Sequence, residues 1–258
     1  MITAVIVQAR FRSTRLPGKV LRRIGSQSVL AHVLERCAAI PGADVICCAA
    51  PEGKADDAIA EEATRCGVRV FRGSEDDVLD RYARAAVSLN AAVVLRVTSD
   101  CPMIDPALCG EVLALRARRN ADYACNNLPP SWPLGLDCEA LTAEWLARAA
   151  REAKRPSERE HVTPFVRNHP DSRKVNLAGP GGALVEQRWT LDTEPDFTFL
   201  TAVFARLPAG RAGWNWRAAL AAVTADPALA RLNAGQDRYA GLKKSLAEDS
   251  ARGFDVAS

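Results

Sequence analysis

Four cations, Arg10, Arg12, Arg15 and Lys19, fall within Ala9-Arg10-Phe11-Arg12-Ser13-Thr14-Arg15-Leu16-Pro17-Gly18-Lys19. They come directly after Val5-Ile6-Val7, an apolar run that reads as a buried strand. A loop beyond the carboxyl end of a parallel strand is where open α/β sheets bind ligands. Backbone N–H groups of such a loop can point at phosphate oxygens, and Ser13 and Thr14 add hydroxyl donors. Arginine offers a planar fork for those oxygens and lysine a mobile point charge. Pro17-Gly18 predicts a turn that aims Lys19 back at the loop. A solvated basic loop at the sheet edge is the plainer alternative. A P-loop is excluded, because Val20 follows Lys19 and no glycine lies five residues before Gly18. No Gly-x-Gly-x-x-Gly dinucleotide fingerprint follows the first strand either.

Carboxylates form the second chemical signal. Asp100 follows the apolar run that ends at Val97, within Arg96-Val97-Thr98-Ser99-Asp100-Cys101-Pro102. That strand end should share a rim with the basic loop. A carboxylate facing bound phosphates needs a divalent cation between them, and Mg²⁺ typically takes one or two carboxylates plus phosphate oxygens. Asp105, just before Pro106, reads instead as a helix cap. Asp192, in Thr190-Leu191-Asp192-Thr193-Glu194-Pro195, is either a second metal carboxylate or a cap of the next helix. His161 is a possible base, though a lone histidine is more often structural. Cys101 is a poor nucleophile, because the adjacent Asp100 opposes a thiolate.

These groups need a frame, and the chain supplies one. Its 258 residues suffice for one large α/β domain, and 48% hydrophobic with 25% charged residues is ordinary for a globular protein. A net charge of +3 is too small to argue for nucleic acid, so the local basic loop points to a small polyanion. No run approaches the roughly 20 apolar residues of a membrane helix, and the N-terminus lacks a signal-peptide pattern. The expectation is a cytoplasmic protein with no membrane or nucleic-acid partner. Eight scattered cysteines, no Cys-x-x-Cys pair and three histidines argue against structural zinc. Most of the cysteines read as small core residues.

The periodicity predicts helices over 29–40, 55–66, 76–89 and 107–119, and strands over 45–50, 68–71 and 91–97. This alternation implies a parallel sheet wrapped by helices. After about Asn126 the rhythm breaks at Pro129-Pro130-Ser131-Trp132-Pro133. Residues 127–185 then read as an insertion beside the sheet, with a strand over 136–141 and helices over 142–153 and 159–168. A strand over 186–190 and a helix near Pro195 complete a domain of residues 1–208. Residues 209–258 read as a polar helical tail.

The N-terminal block, with its Arg10, Ser13-Thr14-Arg15-Leu16-Pro17-Gly18-Lys19 core, resembles the signature of cytidylyltransferases that make CMP-activated sugar acids, of the CMP-Kdo and CMP-sialic acid synthetase type. Further blocks resemble the branch named after the spore coat polysaccharide biosynthesis protein SpsF. These are Phe71-Arg72-Gly73-Ser74-Glu75-Asp76-Asp77-Val78-Leu79-Asp80-Arg81, the Asp100 segment, Gly135-Leu136-Asp137-x-Glu139, Arg159-Glu160-His161-Val162-Thr163-Pro164, and Thr190-Leu191-Asp192. The resemblance implies a three-layer, glycosyltransferase-A-like nucleotidyltransferase fold with a mostly parallel mixed sheet. It implies CTP as substrate, Mg²⁺ as cofactor and a sugar or sugar-acid acceptor, in surface polysaccharide biosynthesis. Ala9, Arg10, Ser13, Arg15, Lys19, Arg72, Ser74 and Arg81 would bind the nucleotide. Arg15, Lys19 and Asp100 would be catalytic, and Asp100 and Asp192 would hold the metal. Relatives are commonly dimers, which places an expected homodimer interface in 127–168. Two competing readings are a glycosyltransferase of similar fold and a non-catalytic nucleotide-binding module. The first usually carries Asp-x-Asp, where this chain has Thr98-Ser99-Asp100.

Overall fold

The computed structural model describes residues 1–208, 213–238 and 240–254. Of the expected tail, 209–212, 239 and 255–258 lie outside the described residues. The frame is a seven-stranded sheet, ordered β5-β4-β1-β6-β8-β7-β9. Its first half is parallel: β1 (Ile2–Gln8) lies between β4 (Val45–Pro51) and β6 (Ala91–Thr98), with β5 (Arg69–Gly73) at the edge. β8 (Glu139–Thr142) runs antiparallel to β6 and to β7 (Tyr123–Cys125), and β9 (Lys174–Asn176) closes the far edge parallel to β7. The mostly parallel mixed sheet expected from the sequence is the one present.

Strand β1 shows why the sheet is covered on both faces. Successive side chains of a strand point to opposite sides. Val5 and Val7 pack with Leu30, Val33 and Leu34 of α1 (Val29–Ala38), Ile59 of α2 (Asp57–Arg65) and Val112 of α4 (Pro106–Arg118). Ala4 and Ile6 pack on the other face with Leu79 and Tyr82 of α3 (Val78–Ser88) and Trp145 of α5 (Ala143–Glu152). A strand buried on both sides reads as an unbroken apolar run, as Val5-Ile6-Val7 does. Side-chain caps fix several helix starts: Ser28 accepts from Ala31 N, Asp77 from Asp80 N, Asp105 from Leu108 N and Thr142 from Trp145 N. A short hairpin, β2 (Arg23–Ile24) and β3 (Gln27–Ser28), leads into α1.

Three expectations differ from the structure. The segment 127–185 contributes β8 and β9 to the main sheet, so it is part of the frame, and β8 is the direct neighbour of β6. The helix expected over 159–168 is two helices, α6 (Pro156–His161) and α7 (Pro164–Asn168), parted at Val162. Val162 is fully buried and holds φ +73°, a conformation that a β-branched residue rarely adopts. Pro164 cannot donate a backbone hydrogen bond and begins the second helix instead. Residues 186–190 form no ladder; Arg188 makes one isolated parallel bridge with Leu134.

The described part of the tail is less detached than expected. α8 (Glu194–Phe204), α9 (Trp216–Ala225) and α10 (Pro227–Arg231) share a third core in which Trp132, Trp189, Trp214 and Trp216 pack with Phe199 and Leu229. The last helix, α11 (Ala240–Ala251), is held by polar contacts. The Asp249 carboxylate accepts from Ser157 N at 2.9 Å and from the Ser157 hydroxyl at 2.5 Å. No described helix is long and apolar enough to cross a membrane.

Candidate active site

The carboxyl ends of β1 and β6 are adjacent, since Gln8 pairs with Thr98. The basic loop leaves β1 and is shaped by two backbone anchors. Phe11 N donates to the buried Asp56 carboxylate at 2.6 Å, and Gly18 N donates to Phe11 O at 2.9 Å. Gly18 holds φ +67°, so glycine suits the turn, and the 3₁₀ turn Lys19–Leu21 that follows directs Lys19 inward. Asp56 was missed by sequence reasoning. Nothing local marks an acidic residue forty-five positions away as the anchor of a loop.

Lys19 is 9% exposed and is the hub of the site. Its Nζ donates to Asp100 Oδ2 at 2.9 Å, to Asp192 Oδ1 at 2.9 Å and to Leu191 O at 2.7 Å. Two 2.9 Å bonds to one nitrogen put the two carboxylate oxygens no more than about 6 Å apart. Burial alone would lower the Lys19 pKa, but Asp100 and Asp192 outweigh it and raise it. Burial alone would raise that of Asp100, but the Lys19 ammonium outweighs it and holds the carboxyl at about 2. The metal carboxylates expected from sequence are thus brought together, with Lys19 and Arg15, the latter 3.1 Å from Asp192.

Asp192 reaches this point through irregular backbone. Trp189 N donates to Leu134 O at 2.7 Å and Leu191 N to Asp100 O at 2.8 Å. Gly135, at φ +111°, permits the first contact, since a Cβ there would sit 2.6 Å from the Trp189 carbonyl carbon. The cap of α8 is Thr193, in a capping box with Asp196, so Asp192 is not needed as the cap. Arg188 binds Asp192 Oδ2 at 2.9 Å and grips Asp196 at 2.8 and 3.1 Å. Asn233 donates to the fully buried Asp196 and to Arg188 O. Asp105 caps α4 and also accepts from Trp216 N at 2.7 Å, the structural role expected for it.

Two cavities flank the Lys19 hub. The first, about 550 Å³, is lined by Ala9, Arg10, Ser13, Arg15, Lys19 and Arg81, all expected nucleotide contacts. Arg72 and Ser74 do not line it. Arg72 is folded against Pro51 O, Gly53 O and Asp57, and Ser74 accepts from Asp77 N before α3. Arg12 turns outward to Glu75. The second cavity, about 340 Å³, shares Arg15, Arg96, Thr98, Asp100 and Asp192 with the first. It adds Asn127, Asp137, Arg167 and Arg238. Burial raises the Asp137 pKa despite the nearby Arg238, and its Oδ1 is buried without a hydrogen-bond partner among the described residues. Arg238 is pinned by the Trp132 and Val185 carbonyls.

The remaining conspicuous residues are scaffolding around these cavities. Glu139 accepts from Arg96, Tyr123 and Thr163, tying β6, β7 and α7 together. Arg159 binds the Asp77 carboxylate and Ala150 O. His161 Nε2 lies 2.8 Å from Ser245 Oγ on α11, and burial lowers its pKa. Seven of the eight cysteines are buried, and burial raises the Cys101 thiol well above its usual range.

The residues present fit a divalent cation. Among the described residues no group of three or more His, Cys, Asp or Glu side chains could cage a metal. Two converging carboxylates opening on a basic cavity suit an ion that draws its other ligands from phosphate and water. The cationic Lys19 nitrogen lies between them, where positive charge is needed.

A cytidylyltransferase family model matches residues 4–198. The chain is 34% identical to the spore coat polysaccharide biosynthesis protein SpsF of Bacillus subtilis over 208 residues, 78% of this chain and 85% of that protein. It is 37% identical to the 3-deoxy-manno-octulosonate cytidylyltransferase of Geobacter sulfurreducens over 122 residues, 46% of this chain and 47% of that one. A cytidylyltransferase structure from Leptospira borgpetersenii superposes with a TM-score of 0.85 at 27% identity, covering 93% of this chain and 99% of the other. The family model spans the basic loop, both converging carboxylates and the sheet from Ala4 of β1 onward, and the chain belongs to the cytidylyltransferase family, a family of nucleotidyltransferases.

Proposed function

We propose that the protein transfers the cytidylyl group of CTP to a hydroxyl of a sugar acid, releasing pyrophosphate, in the making of a surface polysaccharide. The observation that carries this reading is the Lys19 hub, where Asp100 and Asp192 meet between two cavities. The first cavity takes the triphosphate against Arg10, Ser13, Arg15 and Lys19. The second takes the acceptor. There the Arg167 side chain makes no hydrogen bond or ion pair among the described residues, so it suits a carboxylate. The buried Asp137 oxygen suits an acceptor hydroxyl.

Mg²⁺ would be held by Asp100 and Asp192, where it neutralises phosphate charge and makes the α-phosphorus more electrophilic. The chain's own residues position and neutralise. Arg15 and Lys19 bind phosphate oxygens, and the acceptor cavity presents the hydroxyl to the α-phosphorus. The hydroxyl oxygen bonds to that phosphorus as the bond to pyrophosphate breaks and the hydroxyl proton passes to water or to the departing pyrophosphate, so no protein nucleophile is required. We also propose that the chain acts as a homodimer through 127–168 in the cytoplasm, and sedimentation velocity decides the former.

The test is pyrophosphate release with CTP, Mg²⁺ and a panel of neutral sugars and sugar acids. The expected result is release that depends on a sugar acid, with a CMP-linked product by mass. Equal release with ATP or GTP, or cleavage of a nucleotide sugar in place of CTP, would overturn the reading.

A further inference from the structure

Three buried polar atoms of residues lining the first cavity have no hydrogen-bond partner among the described residues: Gln8 Oε1, Arg81 Nε and Arg96 Nε. Buried polar groups are almost always satisfied, so three such atoms around one cavity call for a ligand that satisfies them. The two arginines are otherwise anchored. Arg96 binds Glu139 through Nη1, and Arg81 binds Ser74 O through Nη1. Gln8 ends β1, with its backbone carbonyl accepting from Ser99 N at 3.1 Å and its neighbours Ala49 and Thr98 on either side. Ala9, Val20 and Val78, each at most 3% exposed, are its apolar lining. The loop at 10–19 supplies its Arg10, Arg15 and Lys19 cations and its Ser13 and Thr14 hydroxyls.

We propose that Gln8 reads the base of the bound nucleotide, its Oε1 accepting from the 4-amino group of cytosine and its Nε2 donating to ring N3. This rests on the CTP reading above and names the group that makes CTP the choice among pyrimidines. A carboxamide matches an adjacent amino donor and ring-nitrogen acceptor with two parallel hydrogen bonds, as glutamine does with adenine edges in nucleic acids. Uracil presents an acceptor at position 4 and a donor at position 3, so the carboxamide would have to turn over. That would set a third donor beside the unpartnered Arg81 and Arg96 donors and remove the sole acceptor among the three atoms. Specificity then comes from the mismatch with uracil as much as from the match with cytosine.

The experiment is calorimetric titration, with Mg²⁺, of CTP, UTP and the triphosphate of pyrimidin-2-one riboside, which lacks the 4-amino group. Wild-type protein should bind CTP about tenfold or more tighter than the other two. Gln8→Leu should bring the three affinities to within about threefold, chiefly by weakening CTP. Gln8→Met, closer in length, reads the same ratios if the leucine variant does not fold, which its melting curve shows. CTP binding with the wild-type preference retained in the folded variants would overturn the proposal alone. Wild-type protein that does not bind CTP would overturn the parent reading, and this one with it.

Discussion

The two cavities are built in opposite ways from the same central residues. The first takes three cations, Arg10, Arg15 and Lys19, from one continuous loop set directly after β1. The second gathers Asn127, Asp137, Arg167 and Arg238 from four separate stretches of the chain. Asp56 and Gly18 close the loop itself. Both cavities also draw on the α6–α7 pair and the tail, through Glu160, His161 and Lys244 in the first and Arg167 and Arg238 in the second. The first can be tested by removing single charges from it. The second should respond to changes that leave nucleotide binding untouched.

The largest effect is expected at the hub between the cavities. Lys19→Met removes the ammonium that touches Asp100, Asp192 and Leu191 O. Turnover should fall by roughly 10²–10³, the usual cost of losing one electrostatic contact at a reacting centre. CTP affinity should fall about tenfold or more. Steady-state pyrophosphate release and calorimetry read the two effects, and a variant with near-normal turnover would make the loop mere basic surface.

Next comes stability. Asp196 is fully buried, and Arg188, Asn233, Asp192 N and Thr193 all bond to it. Asp196→Ala leaves Arg188 buried without its main partner, and breaking such a pair typically costs ~3–5 kcal/mol. Urea unfolding should show a clear loss for Asp196→Ala and a much smaller one for Asp192→Ala, whose side chain is part-exposed. Equal losses would mean that Asp192 belongs to the scaffold as much as Asp196 does.

The comparison itself is sharpened by Arg167→Ala. KM for the acceptor should rise about tenfold, the worth of one charge-assisted contact, while the CTP dissociation constant stays put. A matching loss of CTP affinity would merge the two cavities into one. The smallest effect is expected for Arg72→Ala, because that side chain braces β5 and the 51–57 turn outside the first cavity. Its CTP affinity should stay within about twofold of wild type by calorimetry.

The difference between the cavities also explains what was legible in the sequence. Strands β1, β4 and β6 showed because they are buried on both faces and so are continuously apolar. The loop showed because its charges are contiguous. Asp100 showed because it follows a strong strand. Asp192 was ambiguous because a capping threonine stands next to it, and only the long-range bonds from Leu191 to Asp100 O and from Lys19 decide its direction. β9 was hidden because Lys174–Asn176 is too short to carry a period, whereas β8 showed as a strand over 136–141 without its place beside β6. Arg167 was hidden because nothing about an arginine in a short helix reveals that its side chain makes no hydrogen bond or ion pair among the described residues. Arg72 and Ser74 were expected ligands only through the resemblance carried by the 71–81 block. In three dimensions the block mostly braces α3 and the edge strand.

Asp100 and Asp192 are proposed to make one cation site on a nucleotide cavity. Calorimetric titration of CTP into wild type and Asp192→Asn, each with and without Mg²⁺, tests this. Mg²⁺ should tighten CTP binding to wild type about tenfold or more, and this gain should disappear in Asp192→Asn while the melting temperature stays near wild type. An equal gain from Mg²⁺ in both proteins would mean that Asp192 holds no cation.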